Sequence, residues 1–256
     1  MTADIVVEVK DRMMIIGLNR ADKKNALSLA MYEALSEAIG QGERDGGIDV
    51  FLFHGLPDSF SAGNDLRDFL EMKPADPRST PVVRFMTALA GAKKPVVAAV
   101  RGLAIGIGTT MLMHCDLVYA SPSTRFQLPF VPLGIVPEYG STLLLPRMAG
   151  YQRAARFLLL GDPFDGETAR EIGLVTALCP EDEVLPAARS AAERLIALPQ
   201  GALRTAKRLM RAPDQDLLRD VILAEIGEVF AALKSAEAKE AFAAYFEKRK
   251  PDFSRR

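Results

Sequence analysis

The sequence predicts an α/β protein built as a stack of strand-strand-helix turns, followed by a helical C-terminal region. Two patterns predict it. Short apolar, β-branched runs recur between segments of helical periodicity through the first part of the chain, and from about Pro180 the composition changes to helix formers. The order of elements repeats while the sequence itself does not, as expected when each turn of chain lays a strand beside the last and packs a helix outside it. Residues 1–195 are assigned to this core and residues 196–256 to the helical region.

Ile5 to Asn19 contains two β-rich runs broken by Lys10-Asp11-Arg12, which predicts an antiparallel hairpin. Leu29, Tyr32, Leu35 and Ile39 then fall at helical spacing, with Ser28 as N-cap and Gly46-Gly47 as the stop. Val50 to Gly55 is a short apolar strand, "RSTPVVRFMTALAGA" carries a helix, and Pro95 to Val100 is a buried strand. "TTMLMHCD" reads as helix and "DLVYAS" as strand. In the C-terminal region Leu218, Val221, Ile222, Glu225, Val229 and Leu233 form one stripe, apolar apart from Glu225, that covers the core or meets another subunit.

Hydrophobic residues make up 49% of the chain and charged residues 25%, with a formal net charge of -1. With Lys and Arg scattered except in a short run at the C-terminus, no broad basic face points to nucleic acid or an anionic membrane. No apolar run approaches the length of about 20 residues that a membrane span needs, and the N-terminus lacks the pattern of a signal peptide. The two cysteines, Cys115 and Cys179, occupy unrelated contexts and read as buried free thiols, which suits a cytoplasmic or similarly reducing compartment.

Several chemistries are set aside. Gly106-Ile107-Gly108 opens like a dinucleotide fingerprint, but Met111 stands where the third glycine belongs, and no phosphate-binding G-x-x-x-x-G-K-[ST] loop occurs. His54 and His114 sit in apolar runs without metal-ligand spacing and read as structural. Asp65 and Asp68 are too few for a hard-cation site, so no metal is assigned.

Two glycine-bearing segments remain. Ser61-Ala62-Gly63 is a small-residue turn after the Val50 to Gly55 strand, and Arg101 to Asp116 runs from a strand through glycines into a helix. The first N–H groups of a helix lack intrahelical partners and lie at the positive end of its dipole, so Ile107 can donate to a developing oxyanion. If the Asn64 N–H faces the same space, two donors converge on one oxygen. Glu138 is the lone charge in "LPFVPLGIVPEYGS". Such a residue either sits in a first helical turn, favoured there by the dipole, or serves as a base whose apolar surroundings raise its proton affinity.

"NRADKKNAL", "FSAGNDL", "KKPVVAAVRGLAIGIG", "CDLVYAS", "LGIVPEYGS", "EIGLV" and "YFEKRKPDF" occur in order from one end of the chain to the other. Together they resemble the crotonase superfamily, the enoyl-CoA hydratases and isomerases. The resemblance implies the crotonase (ClpP-like) spiral of ββα units, an acyl-CoA thioester substrate, no cofactor beyond the CoA that arrives with that substrate, and a homotrimer or dimer of trimers. It puts the oxyanion donors on the backbone N–H groups of Asn64 and Ile107, the latter bulkier than the glycine usual in hydratases. It puts CoA against Lys23, Lys24, Ala62, Leu66, Tyr245 and Lys248, and the acyl chain against Phe130 and Tyr139.

Hydratases of this family use two glutamates, and the matching positions here are Thr110 and Phe130. In the peroxisomal-type Δ3,Δ2-enoyl-CoA isomerases a glutamate follows a Phe-x-x-Leu-Gly run, the place of Glu138 in "PFVPLGIVPEYGS". The resemblance thus implies an isomerase with Glu138 as its catalytic base. A single-glutamate hydratase, an acyl-CoA thioester hydrolase and a non-catalytic CoA-ester binder are the alternatives.

Overall fold

The computed structural model describes residues 3–56, 58–71 and 76–254. The strands are β1 (Ile5–Lys10), β2 (Met13–Leu18), β3 (Val50–Gly55), β4 (Val96–Val100), β5 (Leu103–Ile105), β6 (Leu117–Ala120), β7 (Arg125–Gln127) and β8 (Ala177–Leu178). The α-helices of the core are α1 (Leu29–Arg44), α2 (Leu66–Glu71), α3 (Pro81–Ala90), α4 (Ile107–Thr110), α5 (Ser141–Ala149), α6 (Tyr151–Leu159), α7 (Gly166–Glu171) and α8 (Val184–Ile196). They are followed by α9 (Gln200–Arg211), α10 (Gln215–Ala232) and α11 (Ala236–Phe246).

The predicted hairpin forms between β1 and β2, Lys10 opposite Met13. Its two turn residues, Asp11 and Arg12, have φ of 50° and 65°, the left-handed pair that a two-residue hairpin loop requires. Every later strand of the main sheet joins in parallel, in the order β1-β2-β3-β4-β6-β8. Ser28 caps α1 by accepting a hydrogen bond from the Met31 N–H, and α1 ends before Gly46-Gly47 as expected.

A sheet covered on both faces must be apolar on both, and the strands show it by alternation. Met14, Ile16, Phe51, Phe53, Val96 and Ala98 point into the larger core beneath α1 and α3. Met13, Ile15, Val50, Leu52, Val97 and Ala99 point the other way, against Val184, Ala188 and Ala192 of α8.

The spiral is visible in a second, smaller stack. β5 pairs in parallel with β7, Ser61 bridges to Ala104 of β5, Leu27 bridges to Asn64, and Phe126 of β7 bridges to Phe164. Each turn therefore leaves one strand in the main sheet and a short segment in this second stack.

The C-terminal helices return to the core. Lys207 of α9 is buried against Asp116, 2.6 Å away, and the Lys94 carbonyl. Ile222 and Ile226 of α10 and Phe242 of α11 enter the larger core. Of the expected α10 stripe, Ile222, Glu225 and Val229 are buried, and Leu218 packs at the edge.

Candidate active site

A cleft of about 760 Å³ opens between the Lys23 to Ala26 segment, the 62–68 turn, the start of α4, the 129–135 loop and the end of α11. Its geometry begins with backbone. Gly63 has a φ of 94°, and a Cβ there would lie 2.8 Å from the Ile105 carbonyl, so only glycine lets the turn press against β5. Ser61 braces this turn: its hydroxyl donates to the Asn25 carbonyl and accepts from the Gly63 N–H. Across the gap Gly106, at φ 55°, turns the chain into α4, and Ile107 is the first helical residue. Gly108 brings that helix close to Ser61, whose carbonyl would stand 2.8 Å from a Cβ at this position.

Asn64 and Ile107 both line the cleft. Among the described residues neither backbone N–H has an acceptor. The Asn64 side chain is held separately: its Oδ1 accepts from the buried Tyr32 hydroxyl at 2.6 Å. Two free amides on facing turns can take one oxyanion between them.

Glu138 is 3% exposed. Its Oε1 accepts a hydrogen bond from the Thr110 hydroxyl at 3.1 Å. Thr110 stands three residues beyond Ile107, a helical rise of about 4.5 Å, so the carboxylate is tied to the helix whose first N–H faces the cleft. Loss of water raises the proton affinity of Glu138, the Thr110 hydrogen bond partly opposes this, and the charge of Glu225 adds to the rise, placing the pKa at about 8. The carboxylate lies in the interior, with Thr110 as its link toward the cleft wall.

Of the two roles left open for Glu138, the structure removes the helix cap. Its side chain does not cap α5. That helix starts at Ser141, its N-cap Gly140 has no side chain to cap it, and Glu225 of α10 supplies the acceptors: the Gly140 N–H donates at 2.5 Å, and the Thr142 N–H and hydroxyl donate at 3.0 and 2.6 Å.

The remaining predicted residues divide. Lys23, Lys24, Ala62, Leu66, Phe130 and Tyr245 all line the cleft. Lys248 does not: it lies exposed beyond the end of α11. Tyr139 is a correction. Its ring does not line the cleft: it is fully buried in the core, where it stacks on His114 with centroids 3.9 Å apart and donates to the Met86 carbonyl. His114 is structural as read, its Nε2 on the Tyr139 carbonyl and its pKa pushed by burial down to about 4. Asp65 pairs with Arg20 at 2.8 Å, and Asp68 accepts from the Leu29 N–H, so the two carboxylates serve different partners. Cys115 and Cys179 are free thiols but half-buried rather than fully buried.

Thr110, Glu225 and Tyr32 were not singled out as site residues by the sequence. Thr110 reads there as a lost glutamate, yet it is the group that holds the base candidate. Glu225 had a signal, as the lone acid in an apolar stripe; Tyr32 had none beyond helical spacing.

A parallel-sheet spiral whose cleft offers two free backbone amides, linked through one short helix to a buried carboxylate, suits proton transfer at a carbon beside a carbonyl. The chain belongs to the enoyl-CoA hydratase/isomerase family, whose profile matches residues 8–256. The 1,2-epoxyphenylacetyl-CoA isomerase of Escherichia coli is 32% identical over 98% of both chains. The 2,3-dehydroadipyl-CoA hydratase of the same organism is 31% identical, covering 99% of this chain and 100% of that one. Among solved structures, Pseudomonas aeruginosa OdaA superposes with a TM-score of 0.93 at 46% identity, covering 95% of this chain and 99% of that one. An enoyl-CoA hydratase/isomerase from Pseudoalteromonas atlantica also reaches 0.93 at 37% identity, covering 98% and 100%. The fold is therefore the crotonase spiral, and the chain is an acyl-CoA enzyme of this family.

Proposed function

We propose that the chain is a Δ3,Δ2-enoyl-CoA isomerase with Glu138 as its base. The observation that carries the reading is the buried Glu138 carboxylate, 3% exposed, with its pKa raised to about 8 and hydrogen-bonded by Thr110 of the helix that begins at the cleft; it stands where the resemblance puts the isomerase glutamate, while Thr110 and Phe130 stand where it puts the hydratase pair. In this reaction Glu138 takes one proton from C2 of a 3-enoyl thioester. The electrons move onto the thioester oxygen, held by the Asn64 and Ile107 N–H groups, and the same proton returns at C4 as the double bond settles between C2 and C3. No water is consumed. Phe130 and Ile135 surround this path with apolar surface, which disfavours hydration. The reaction needs no cofactor, since CoA arrives with the substrate.

The exposed Leu209, Met210 and Leu217 of α9 and α10 support assembly as a homotrimer or dimer of trimers, and the free thiols suit a cytoplasmic setting.

The test is product identity. Incubation with 3-hexenoyl-CoA is expected to yield the conjugated 2-enoyl thioester at unchanged mass. Glu138→Gln is expected to lose roughly 10²- to 10⁴-fold in kcat while still binding the product. A product heavier by one water would make the enzyme a hydratase, and near-normal turnover in the variant would remove Glu138 from the mechanism.

A further inference from the structure

We infer that Glu225 is a positioning residue for Glu138: from the C-terminal helical region it holds the turn that sets where the catalytic carboxylate stands. The inference rests on the reading of Glu138 as base.

The geometry starts with the odd composition of α10. Its buried residues are Ile222, Glu225, Ile226 and Val229, so one carboxylate, 7% exposed, is placed among aliphatic neighbours. A buried carboxylate is tolerated when its oxygens are filled by donors, and here they are divided. Oε2 takes the Gly140 N–H; Oε1 takes both Thr142 donors. Gly140 sits at φ 73°, where a side chain would be strained, and a Cβ there would push against Leu218 Cδ1 of α10. The helix therefore lies directly on the turn.

That turn is strained where it carries the base. Tyr139, at φ 63°, is a bulky residue in the left-handed region, and Gly140 follows at 73°. Such a conformation persists only when its surroundings over-determine it. Here His114 holds the Tyr139 carbonyl, the Met86 carbonyl holds its hydroxyl, the Glu138 carbonyl takes the Ser141 N–H, and Glu225 takes the N–H of Gly140. Glu225 is the only charged member of this set, and it joins the Glu138 turn to a helix 85 residues further on.

The same carboxylate acts on the titration of Glu138. The titratable groups facing the base are Tyr32 from α1, Tyr139 on its own turn and Glu225 from α10, with His114, Cys115 and Arg211 behind Tyr139. Both tyrosines are held neutral by burial, and His114 is neutral above about pH 4. Burial raises the proton affinity of Glu225 itself, opposed by its Thr142 and Gly140 donors, and once ionised its negative charge makes Glu138 keep its proton to higher pH.

Glu225→Gln separates these roles from mere stability. Its single amide oxygen can still serve Thr142, but the amide nitrogen faces the Gly140 N–H and cannot accept from it. The expected result with a 3-enoyl thioester is a fall in kcat of roughly 10- to 100-fold, an unchanged KM, and an ascending limb of kcat/KM displaced to lower pH. Ile226→Ala, which weakens the same helix in the core without reaching Gly140, is expected to lower the denaturation midpoint and leave kcat and the limb in place. Should Glu225→Gln not fold, Glu225→Asp keeps the charge and shortens the reach, and is expected to lose kcat with the limb near its wild-type position. A Glu225 variant that loses only stability, with wild-type kcat and pH limb, overturns the inference. Activity retained in Glu138→Gln would instead overturn the assignment of the base, so the two failures are told apart.

Discussion

Replacing Glu138 by Gln should change how the stability of the protein depends on pH, by an amount that follows from the burial of that carboxyl. In the folded chain its pKa is raised to about 8 from an ordinary value of 4.5. Between those two pH values the folded state holds a proton that the unfolded state releases. Stability therefore falls as pH rises through this window, is unaffected by the group below it, and has lost the full contribution above it. At 1.36 kcal/mol per pH unit the loss accumulates to about 5 kcal/mol, with about 3 kcal/mol of it reached by pH 7.

The amide of the Glu138→Gln variant would still accept the Thr110 hydrogen bond but would not titrate. The difference in unfolding free energy between Glu138→Gln and wild type should therefore move in favour of the variant by about 4 kcal/mol between pH 5 and pH 9. Asp49 and Asp65, whose pKa values are lowered, contribute pH dependence of the opposite sign, but both proteins share it and it cancels. Urea denaturation at pH 5, 6, 7, 8 and 9 gives the comparison. Parallel curves, with a constant offset, would show that Glu138 titrates as an ordinary carboxylate and would refute the burial argument.

Two further outcomes are expected. Thr110→Val keeps the shape of the side chain and removes the hydroxyl that favours ionised Glu138; kcat at pH 7 should fall roughly 10- to 100-fold, as for the loss of a hydrogen bond to a charged group, and the pH limb should move upward, read from a kcat/KM profile. Gly108→Ala places a Cβ 2.8 Å from the Ser61 carbonyl and must spread α4 from the turn that carries Asn64. The circular dichroism spectrum should be retained while kcat falls roughly 10-fold or more through a loosened oxyanion site; wild-type kcat would show that the two amides do not act together.

Much of this molecule is written locally. The hairpin, the Ser28 cap, the alternation of short strands with helices and the glycine turns at Gly63 and Gly106 each depend on residues a few positions apart, and the structure has them where the pattern puts them. Glu138 was legible for the same reason, as one charge in an apolar segment. Tyr139 was misread because adjacency in sequence suggested a shared wall, whereas its ring is buried against His114 and does not line the cleft.

Sequence by itself determined the class of fold, the family and the candidate base, because strand period, helix caps and glycine turns act over short stretches of chain. Tertiary structure alone decided the partners of that base. Thr110 reaches Glu138 across 28 residues, Tyr32 reaches Asn64 across 32, and Glu225 caps the Gly140 turn across 85. A pattern within one segment cannot specify such contacts. They exist because the spiral lays successive turns on one another and brings α10 back over the loop, burying a carboxylate whose proton affinity is then set by neighbours from distant parts of the chain.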